Sequence, residues 1–167
     1  MNELQIITGL WWAHRSASLL LAPRFTPYGW WEMDLMRVTR AGYCEEWEIK
    51  LTISDFRADA KKTSWRGKGV RGKHERLAAG DPAGPCRFTY VVPESLIQTV
   101  RAELPTWAGL WCALEHGSRV RFRRVVNAPT LHREKAPQVR IDRALRNMSA
   151  RYWDLLIHRR NGEARDE

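Results

Sequence analysis

The sequence predicts a single mixed α/β domain in which helices flank a central sheet. Segments with apolar residues at helical spacing alternate along the chain with short segments typical of strands. Two neighbouring strand-like segments, 30–38 and 43–53, are joined by a short stretch containing Gly42, which indicates an antiparallel hairpin. The chain has 167 residues, 44% of them hydrophobic, which suits one ordinary domain with a buried core.

Each element is predicted from its spacing or its boundary signals. Apolar residues at three-and-four spacing, ended by Pro23, indicate the first helix. Ser54 is the predicted N-cap of the second helix, whose first turn carries Asp55 at the positive end of the helix dipole. Pro93 stops a strand and begins a helix. In order, the predicted elements are a helix at 3–21, strands at 30–38 and 43–53, a helix after residue 54, helical turns at 73–79, a strand at 86–92, a helix at 93–104, strands at 109–116 and 119–128, and a helix at 139–160.

The last predicted helix carries one long apolar stripe, which we expect to face the core. Its members are Ile141, Leu145, Met148, Tyr152, Leu155 and Leu156. The domain is therefore expected to span residues 1–160, with 161–167 as a flexible C-terminal tail.

The charge of the chain indicates an anionic partner. The formal net charge is +9 at pH 7 and the sequence pI is about 10.0, so either nucleic acid or an acidic membrane surface is expected to bind. The basic residues are scattered rather than gathered on one amphipathic helix, which favours nucleic acid. No apolar run approaches the roughly 20 residues that span a bilayer, and the first residues lack the basic start of a signal peptide.

Three widely spaced cysteines, Cys44, Cys86 and Cys112, lie in apolar strand-like segments. Their odd number and their spacing argue against a disulfide framework and against a zinc site. Reduced core thiols are the interpretation, and the cytoplasm is the expected location.

The second hairpin strand presents charged side chains on one face. Side chains alternate along a strand, so Glu46, Glu48 and Lys50 share a face and Trp47 and Ile49 share the other. A solvated face is the ordinary explanation of such a pattern. The alternative is a site in which Glu48 and Lys50 act together.

The hairpin register brings an aspartate to that face. If Arg40, Ala41 and Gly42 form the loop, then the pairing continues along the ladder until Asp34 lies opposite Glu48. Opposed side chains on one face have Cβ atoms roughly 5 Å apart, and two carboxylates there repel each other unless a positive charge lies between them. A divalent ion such as Mg²⁺ is the natural candidate, because it takes one or two carboxylates and keeps water on its other positions.

The residue types then suggest phosphodiester hydrolysis. Asp34 and Glu48 would hold the metal, which polarises a phosphate oxygen and lowers the pKa of a bound water. Lys50, on the same face, could orient that water or stabilise charge on the phosphate.

The chain resembles the PD-(D/E)XK nuclease superfamily in its hairpin, with Asp34 on one strand and "EIK" on the next. More narrowly, "EIKLTISDFRADAKK", "CRFTYVVPESL", "ELPTWAGLWCA" and "VVNAPTLHREKAP" occur in an order similar to the MmcB-like DNA-repair proteins of that superfamily, over roughly residues 30–156. The resemblance implies a restriction-endonuclease-like fold and a Mg²⁺- or Mn²⁺-dependent endodeoxyribonuclease. It implies Asp34, Glu48 and Lys50 as catalytic residues, with Asp34, Glu48 and the backbone carbonyl of Ile49 as metal ligands. Met33 stands where the motif has proline, and Glu3 is the candidate for the acid that many members carry on the first helix.

A basic, glycine-punctuated segment follows the hairpin and is expected to bind DNA phosphates. Trp65 within it could stack on bases or could instead anchor the loop to the domain. The resembling family also has basic residues near Lys73 and His74, which could bind the scissile phosphate; the alternative for His74 is simple solvation. The candidate DNA-binding residues are Lys61, Lys62, Trp65, Arg66, Lys68, Arg71, Lys73 and His74.

Two further groups of charged residues are candidates. Asp55 and Asp59, four residues apart, could form a second acidic cluster near the metal; alternatively Asp55 favours the helix dipole and Asp59 pairs with Lys62. A second basic patch, which could extend the DNA footprint, comprises Arg119, Arg121, Arg123 and Arg124.

Two functions therefore stand as hypotheses. The first is a metal-dependent DNA nuclease of repair or processing, with DNA as its partner and a homodimer as a further expectation, since small nucleases of this type often dimerise to cut both strands. The second is a non-catalytic DNA-binding protein that keeps the nuclease fold.

Overall fold

A six-stranded mixed sheet with helices on both faces forms the centre of this α/β fold. The computed structural model describes residues 1–59 and 71–163, with side chains described as far as residue 158. The strands lie in the sheet in chain order, β1 to β6; the pairs β3–β4 and β4–β5 are parallel and the other three pairs are antiparallel. The elements are α1 (Glu3–His14), β1 (Ser18–Phe25), β2 (Met33–Thr39), β3 (Cys44–Ile49), α2 (Ile53–Asp59), α3 (Lys73–Ala78), β4 (Arg87–Pro93), α4 (Ile97–Ala102), β5 (Ala108–His116), β6 (Arg119–Val126) and α5 (Gln138–Glu163).

The sheet separates two hydrophobic cores. Helix α1 covers one face, where Ile6 and Leu10 pack with Leu35 and Trp47 of the hairpin. The larger core lies on the other face, where β4 contributes Phe88, Tyr90 and Val92. Helices α2, α3, α4 and α5 pack there through Phe56, Leu77, Ile97 and Ile141.

The first predicted helix is wrong in its second half. Helix α1 ends at His14, where the Ser18 hydroxyl donates to the His14 carbonyl at 2.8 Å, and residues from Ser18 onward form the edge strand β1. Short apolar runs fit a helix or a strand equally well by spacing. Pro23 pairs with Leu35 within β1, which an edge strand tolerates.

Other element boundaries also differ from the prediction. The second hairpin strand ends at Ile49, and Thr52 rather than Ser54 caps α2, since its hydroxyl accepts a hydrogen bond from the Asp55 amide at 3.1 Å. Helix α5 continues to Glu163, so residues 161–163 are helical. Residues 164–167 lie outside the described residues.

The apolar stripe of α5 is buried only near its beginning. Ile141 is buried, whereas Tyr152 and Leu155 are 59% and 69% exposed. The helix rises about 1.5 Å per residue, and its 26 residues therefore extend well past the core. The prediction of a continuous core-facing stripe is wrong for its C-terminal half.

The three cysteines are buried and free, as expected of core thiols. Within residues 1–59 and 71–163, no helix combines the length and the apolar character needed to cross a bilayer.

Candidate active site

The predicted hairpin and its register are confirmed. Strands β2 and β3 pair from Leu35 with Trp47 to Val38 with Cys44. The Thr39 amide donates to the Tyr43 carbonyl at 2.9 Å, and Gly42 supplies the turn with φ of +88°. This register carries Asp34 to the position facing Glu48.

Asp34 is fixed against the neighbouring strand by its own side chain. Its Oδ2 accepts a hydrogen bond from the Ile49 amide at 2.7 Å. Burial, followed by the nearby Glu48 carboxylate, raises the pKa of Asp34 to about 6. Oδ1 of Asp34 accepts no hydrogen bond or ion pair from the described residues.

The charged face of β3 is buried, so the interpretation as a solvated face is wrong. Glu46, Glu48 and Lys50 are 0%, 1% and 4% exposed. Helices α2 and α3 lie on this face of the sheet. The charges therefore lie between sheet and helices, where they require partners.

Those partners form what we call the buried ion cluster, which comprises Glu46, Glu48, Lys50, Asp59 and Lys73. Nζ of Lys50 contacts Oε1 of Glu48 at 2.9 Å, and Nζ of Lys73 contacts Oε2 at 2.8 Å. Lys73 also pairs with Oε1 of Glu46 at 2.7 Å, while the Trp30 indole donates to Oε2 of Glu46 at 3.0 Å.

Burial is the largest influence on the pKa of Glu46. It raises the pKa of Glu46 to about 7, although the Lys73 ammonium opposes the shift. Burial disfavours the charge of Lys73 as well, but Glu46 and Glu48 outweigh it and raise the lysine's pKa above its usual value. Burial of Lys50 is likewise outweighed by Glu48 and Asp59, which raise its pKa, so both lysines stay charged at neutral pH.

Asp59 and Asp55 reach the cluster from helix α2. Asp59 is 1% exposed, lies 3.3 Å from Nζ of Lys50, and accepts a hydrogen bond from the Tyr90 hydroxyl at 2.8 Å. Nε2 of His74 is 2.9 Å from Asp59. Asp55 lies 3.5 Å from Lys50, so both predicted acids converge on this lysine. Lys62, the alternative partner of Asp59, lies outside the described residues.

Glu3 lies near Asp34 but outside the buried ion cluster. It pairs with Arg24 at 3.0 Å. Burial and the charge of Glu48 are the main causes that raise the pKa of Asp34, and the charge of Glu3 raises it further. Its role as the first-helix acid stays a prediction.

The predicted DNA-binding segment is described only at its C-terminal end. Arg71 is exposed, His74 is 20% exposed, and Lys73 is fully buried within the cluster. Lys73 is therefore not a cation on an open loop, because the α3 helix turns it toward the sheet. The other candidates, Lys61, Lys62, Trp65, Arg66 and Lys68, lie outside the described residues.

Sequence reasoning missed Glu46 and Tyr90 as members of the site. Glu46 carried a signal, since it shares the face of Glu48 two residues earlier. Tyr90 pairs with Glu48 in the parallel ladder between β3 and β4, and this register cannot be read from a hairpin turn.

The donor set around Asp34 fits a hard divalent cation. The backbone N–H and C=O of one strand residue point to the same neighbouring strand. The Ile49 N–H points to β2, where it donates to Asp34, so the Ile49 carbonyl faces β2 as well. Carboxylate and carbonyl oxygens are the ligands that Mg²⁺ takes, with water completing its shell. No group of three or more His, Cys, Asp or Glu side chains gathers in metal-binding geometry within residues 1–59 and 71–163, so such an ion would rest on two carboxylates and a carbonyl.

Comparison with known proteins shows the fold. No family model and no curated protein matches the chain. Among solved structures it is similar to "SPO1766 protein of unknown function" from Silicibacter pomeroyi, with a TM-score of 0.65 and 20% sequence identity over 93% of this chain and 91% of that one. The likeness covers nearly the whole domain and shows a shared α/β architecture.

Proposed function

We propose that this protein is a metal-dependent nuclease that hydrolyses DNA phosphodiester bonds in repair or processing, on a restriction-endonuclease-like fold. The observation that carries the proposal is the meeting of Asp34 with the Glu48–Ile49–Lys50 segment, locked by the hydrogen bond from the Ile49 amide to Asp34. An antiparallel hairpin followed by a helix and a parallel strand supports the fold assignment. The net charge of +9 supports an anionic polymer as the substrate.

The roles of the residues follow from their positions. Asp34, Glu48 and the Ile49 carbonyl would hold Mg²⁺ or Mn²⁺, which when bound polarises a phosphate oxygen and activates a water. Lys50 holds a positive charge beside Glu48, where it would stabilise negative charge on the phosphate. Asp55 and Asp59 keep the Lys50 ammonium directed to this place.

A specific observation favours the second candidate, a non-catalytic DNA-binding protein with the same fold. Both carboxylate oxygens of Glu48 contact lysines, which is an arrangement that can serve stability alone. Under this alternative the protein binds DNA and the buried ion cluster is structural.

A cleavage assay separates the two candidates. Labelled single-stranded, duplex, flap and junction DNAs, with one RNA strand, are incubated with Mg²⁺, Mn²⁺ or EDTA. We expect metal-dependent cutting that Asp34→Asn, Glu48→Gln and Lys50→Met each reduce by 10²-fold or more, in the range of single electrostatic contributions to catalysis. Glu32→Gln, an exposed carboxylate close to Asp34 in sequence, is the matched control and should cut normally.

A metal-binding measurement completes the test. Calorimetry with Mn²⁺ should give weaker binding to Asp34→Asn and unchanged binding to Glu32→Gln. DNA binding without cutting under every metal, together with equal Mn²⁺ binding by Asp34→Asn and wild type, would refute the nuclease proposal in favour of the second candidate.

A further inference from the structure

A cavity of about 310 Å³ lies on the face of the sheet opposite the candidate active site. Its floor includes Trp47 and Thr89, which are neighbours in the ladder between β3 and β4. Side chains alternate along β3, so Glu45 and Trp47 point to this face while Glu46 and Glu48 point to the other. The cavity is therefore separate from the buried ion cluster.

The sequence explains why the sheet is left open here. Helix α1, which covers this face, ends at His14 beside the cavity. Across the sheet, Trp47 of β3 is followed by Thr89 of β4 and Gly109 of β5. Threonine has a small side chain and glycine has none. Ala128 lies 2.8 Å from the point a Cβ of Gly109 would take, and it forms one wall. A depression bounded by walls remains over Thr89.

Of the described residues, three arginines and a single carboxylate line the cavity. Arg37 is engaged, with hydrogen bonds to Glu45 at 2.9 Å and to the Ser18 hydroxyl at 3.0 Å. Among the residues that the structure describes, Arg87 makes only long contacts, at 3.4 Å to the Thr130 hydroxyl and 3.7 Å to Glu45. Each guanidinium carries five N–H donors, so Arg87 keeps most of its donors available.

Arg124 is held in a similar way. Within the described part of the chain, its contacts are one hydrogen bond of 3.4 Å to Asn127 and a stacking contact with the ring of Trp111 at 5.5 Å. The ring orients the guanidinium without using its in-plane donors. Two loosely bonded guanidiniums therefore border one cavity.

Thr89 adds a polar group at the floor. It is 5% exposed, and its hydroxyl forms no hydrogen bond with the residues the structure describes. Because Thr89 lines the cavity, its hydroxyl is available to a ligand bound there.

Aromatic rings complete the walls. The His14 ring is 4.8 Å from the ring of Trp47 and 5.3 Å from that of Trp111. Burial, followed by the positive charges of Arg37 and Arg124, lowers the pKa of His14 to about 4. The imidazole is therefore neutral at physiological pH, and the arginines supply the positive charge of the cavity.

We propose that this cavity binds the phosphate group of a nucleotide, supplied either as a free mononucleotide or as the end of a DNA strand. Guanidinium forks match phosphate oxygens, the Thr89 hydroxyl donates a further hydrogen bond, and the aromatic wall lies where a sugar or base would follow. The volume is at the small end of ligand sites, which suits one nucleotide unit. The site does not depend on the proposed nuclease function.

The test is a titration followed by the indole signals of ¹⁵N-labelled protein, with EDTA present so that no metal recruits phosphate to Asp34. The probes are dTMP, thymidine, inorganic phosphate, and an oligo(dT) with or without a 5′-phosphate. We expect dTMP and the phosphorylated strand to shift the signals of Trp47 and Trp111 but not that of Trp30, which lies by the buried ion cluster. Arg87→Gln and Arg124→Gln should each weaken binding about tenfold or more, and Thr89→Val about threefold or more.

Arg143→Gln, an exposed arginine of α5, is the charge-matched control and should bind as wild type does. Equal binding of inorganic phosphate and dTMP would overturn nucleotide recognition, and equal binding of thymidine and dTMP would overturn the role of phosphate. No shift with dTMP up to about 10 mM, or a shift of Trp30 that Glu48→Gln abolishes, would overturn the site itself. Absence of DNA cleavage refutes the proposed nuclease and leaves these results unaffected.

Discussion

Lys73→Met should destabilise the protein strongly, because Lys73 neutralises two buried carboxylates. Its Nζ lies 2.7 Å from Glu46 and 2.8 Å from Glu48, and the side chain is fully buried. Removing one partner of a buried ion pair typically lowers the free energy of unfolding by about 3–5 kcal/mol. Methionine keeps the length of the side chain, so most of the loss reflects the uncompensated charge rather than a cavity. For a domain of this size the loss corresponds to a decrease in Tm on the order of 10 °C.

The loss should depend on pH, because Glu46 can become neutral. Its pKa, already about 7 with Lys73 present, rises further once the ammonium is gone. The folded variant then holds a proton that the unfolded chain releases above the ordinary glutamate range, so its stability falls as pH rises. The difference between wild type and Lys73→Met should therefore be larger at pH 8 than at pH 5.

Urea unfolding followed by circular dichroism at both pH values measures the effect. Lys135→Met, which changes an exposed lysine, should remain within about 0.5 kcal/mol of wild type. Adding Glu46→Gln to Lys73→Met should restore most of the stability, because it removes the carboxylate that loses its lysine, while Glu48 still contacts Lys50 at 2.9 Å. A loss below about 1 kcal/mol at pH 8, or no recovery in the double variant, would refute the ionic origin of the effect.

Two further predictions concern stability. In wild type the pKa values of Asp34 and Glu46 are raised, to about 6 and about 7, which gives the folded state two extra protons, while the pKa of His14, lowered to about 4, removes one of them. The folded state therefore binds more protons than the unfolded state between roughly pH 4.5 and 6. The free energy of unfolding should fall as pH rises through that window, and a flat or rising urea series would contradict the assignment. Gly84→Ala should lower stability by about 1–3 kcal/mol by calorimetry, because a Cβ there would lie 2.5 Å from the buried ring of Trp30. An unchanged Tm would show that the ring can move aside.

The sequence predicts the hairpin well because the residues that define it are close together in the chain. Strand alternation defines the face that Glu48 and Lys50 share, and the glycine turn at Gly42 defines the register that brings Asp34 opposite. The same logic fails at β1, where the apolar run after Ser18 continues the helical spacing of α1 although it belongs to the sheet.

The burial of the site could not be predicted, because it depends on contacts between distant segments. Lys73 is 25 residues from Glu48 in the chain, and it reaches that carboxylate only because α3 packs on the face of β3. In the sequence, Lys73 lies in a basic segment, which predicts an exposed lysine. Its packing against the sheet changes it into a counter-ion of the candidate site.

Within the buried ion cluster, each lysine keeps another carboxylate partner when the charge of Glu48 is removed. Without it Lys73 keeps Glu46 at 2.7 Å, and Lys50 keeps Asp59 at 3.3 Å and Asp55 at 3.5 Å. Glu48→Gln should thus cost less stability than Lys73→Met, which leaves two carboxylates facing a missing charge. A purely structural cluster gains little from a third buried carboxylate, whereas a site that holds a cation beside Asp34 requires one. Loss of cleavage in Glu48→Gln at nearly unchanged stability would therefore show that this carboxylate serves catalysis. A stability loss equal to that of Lys73→Met would show that it serves the fold.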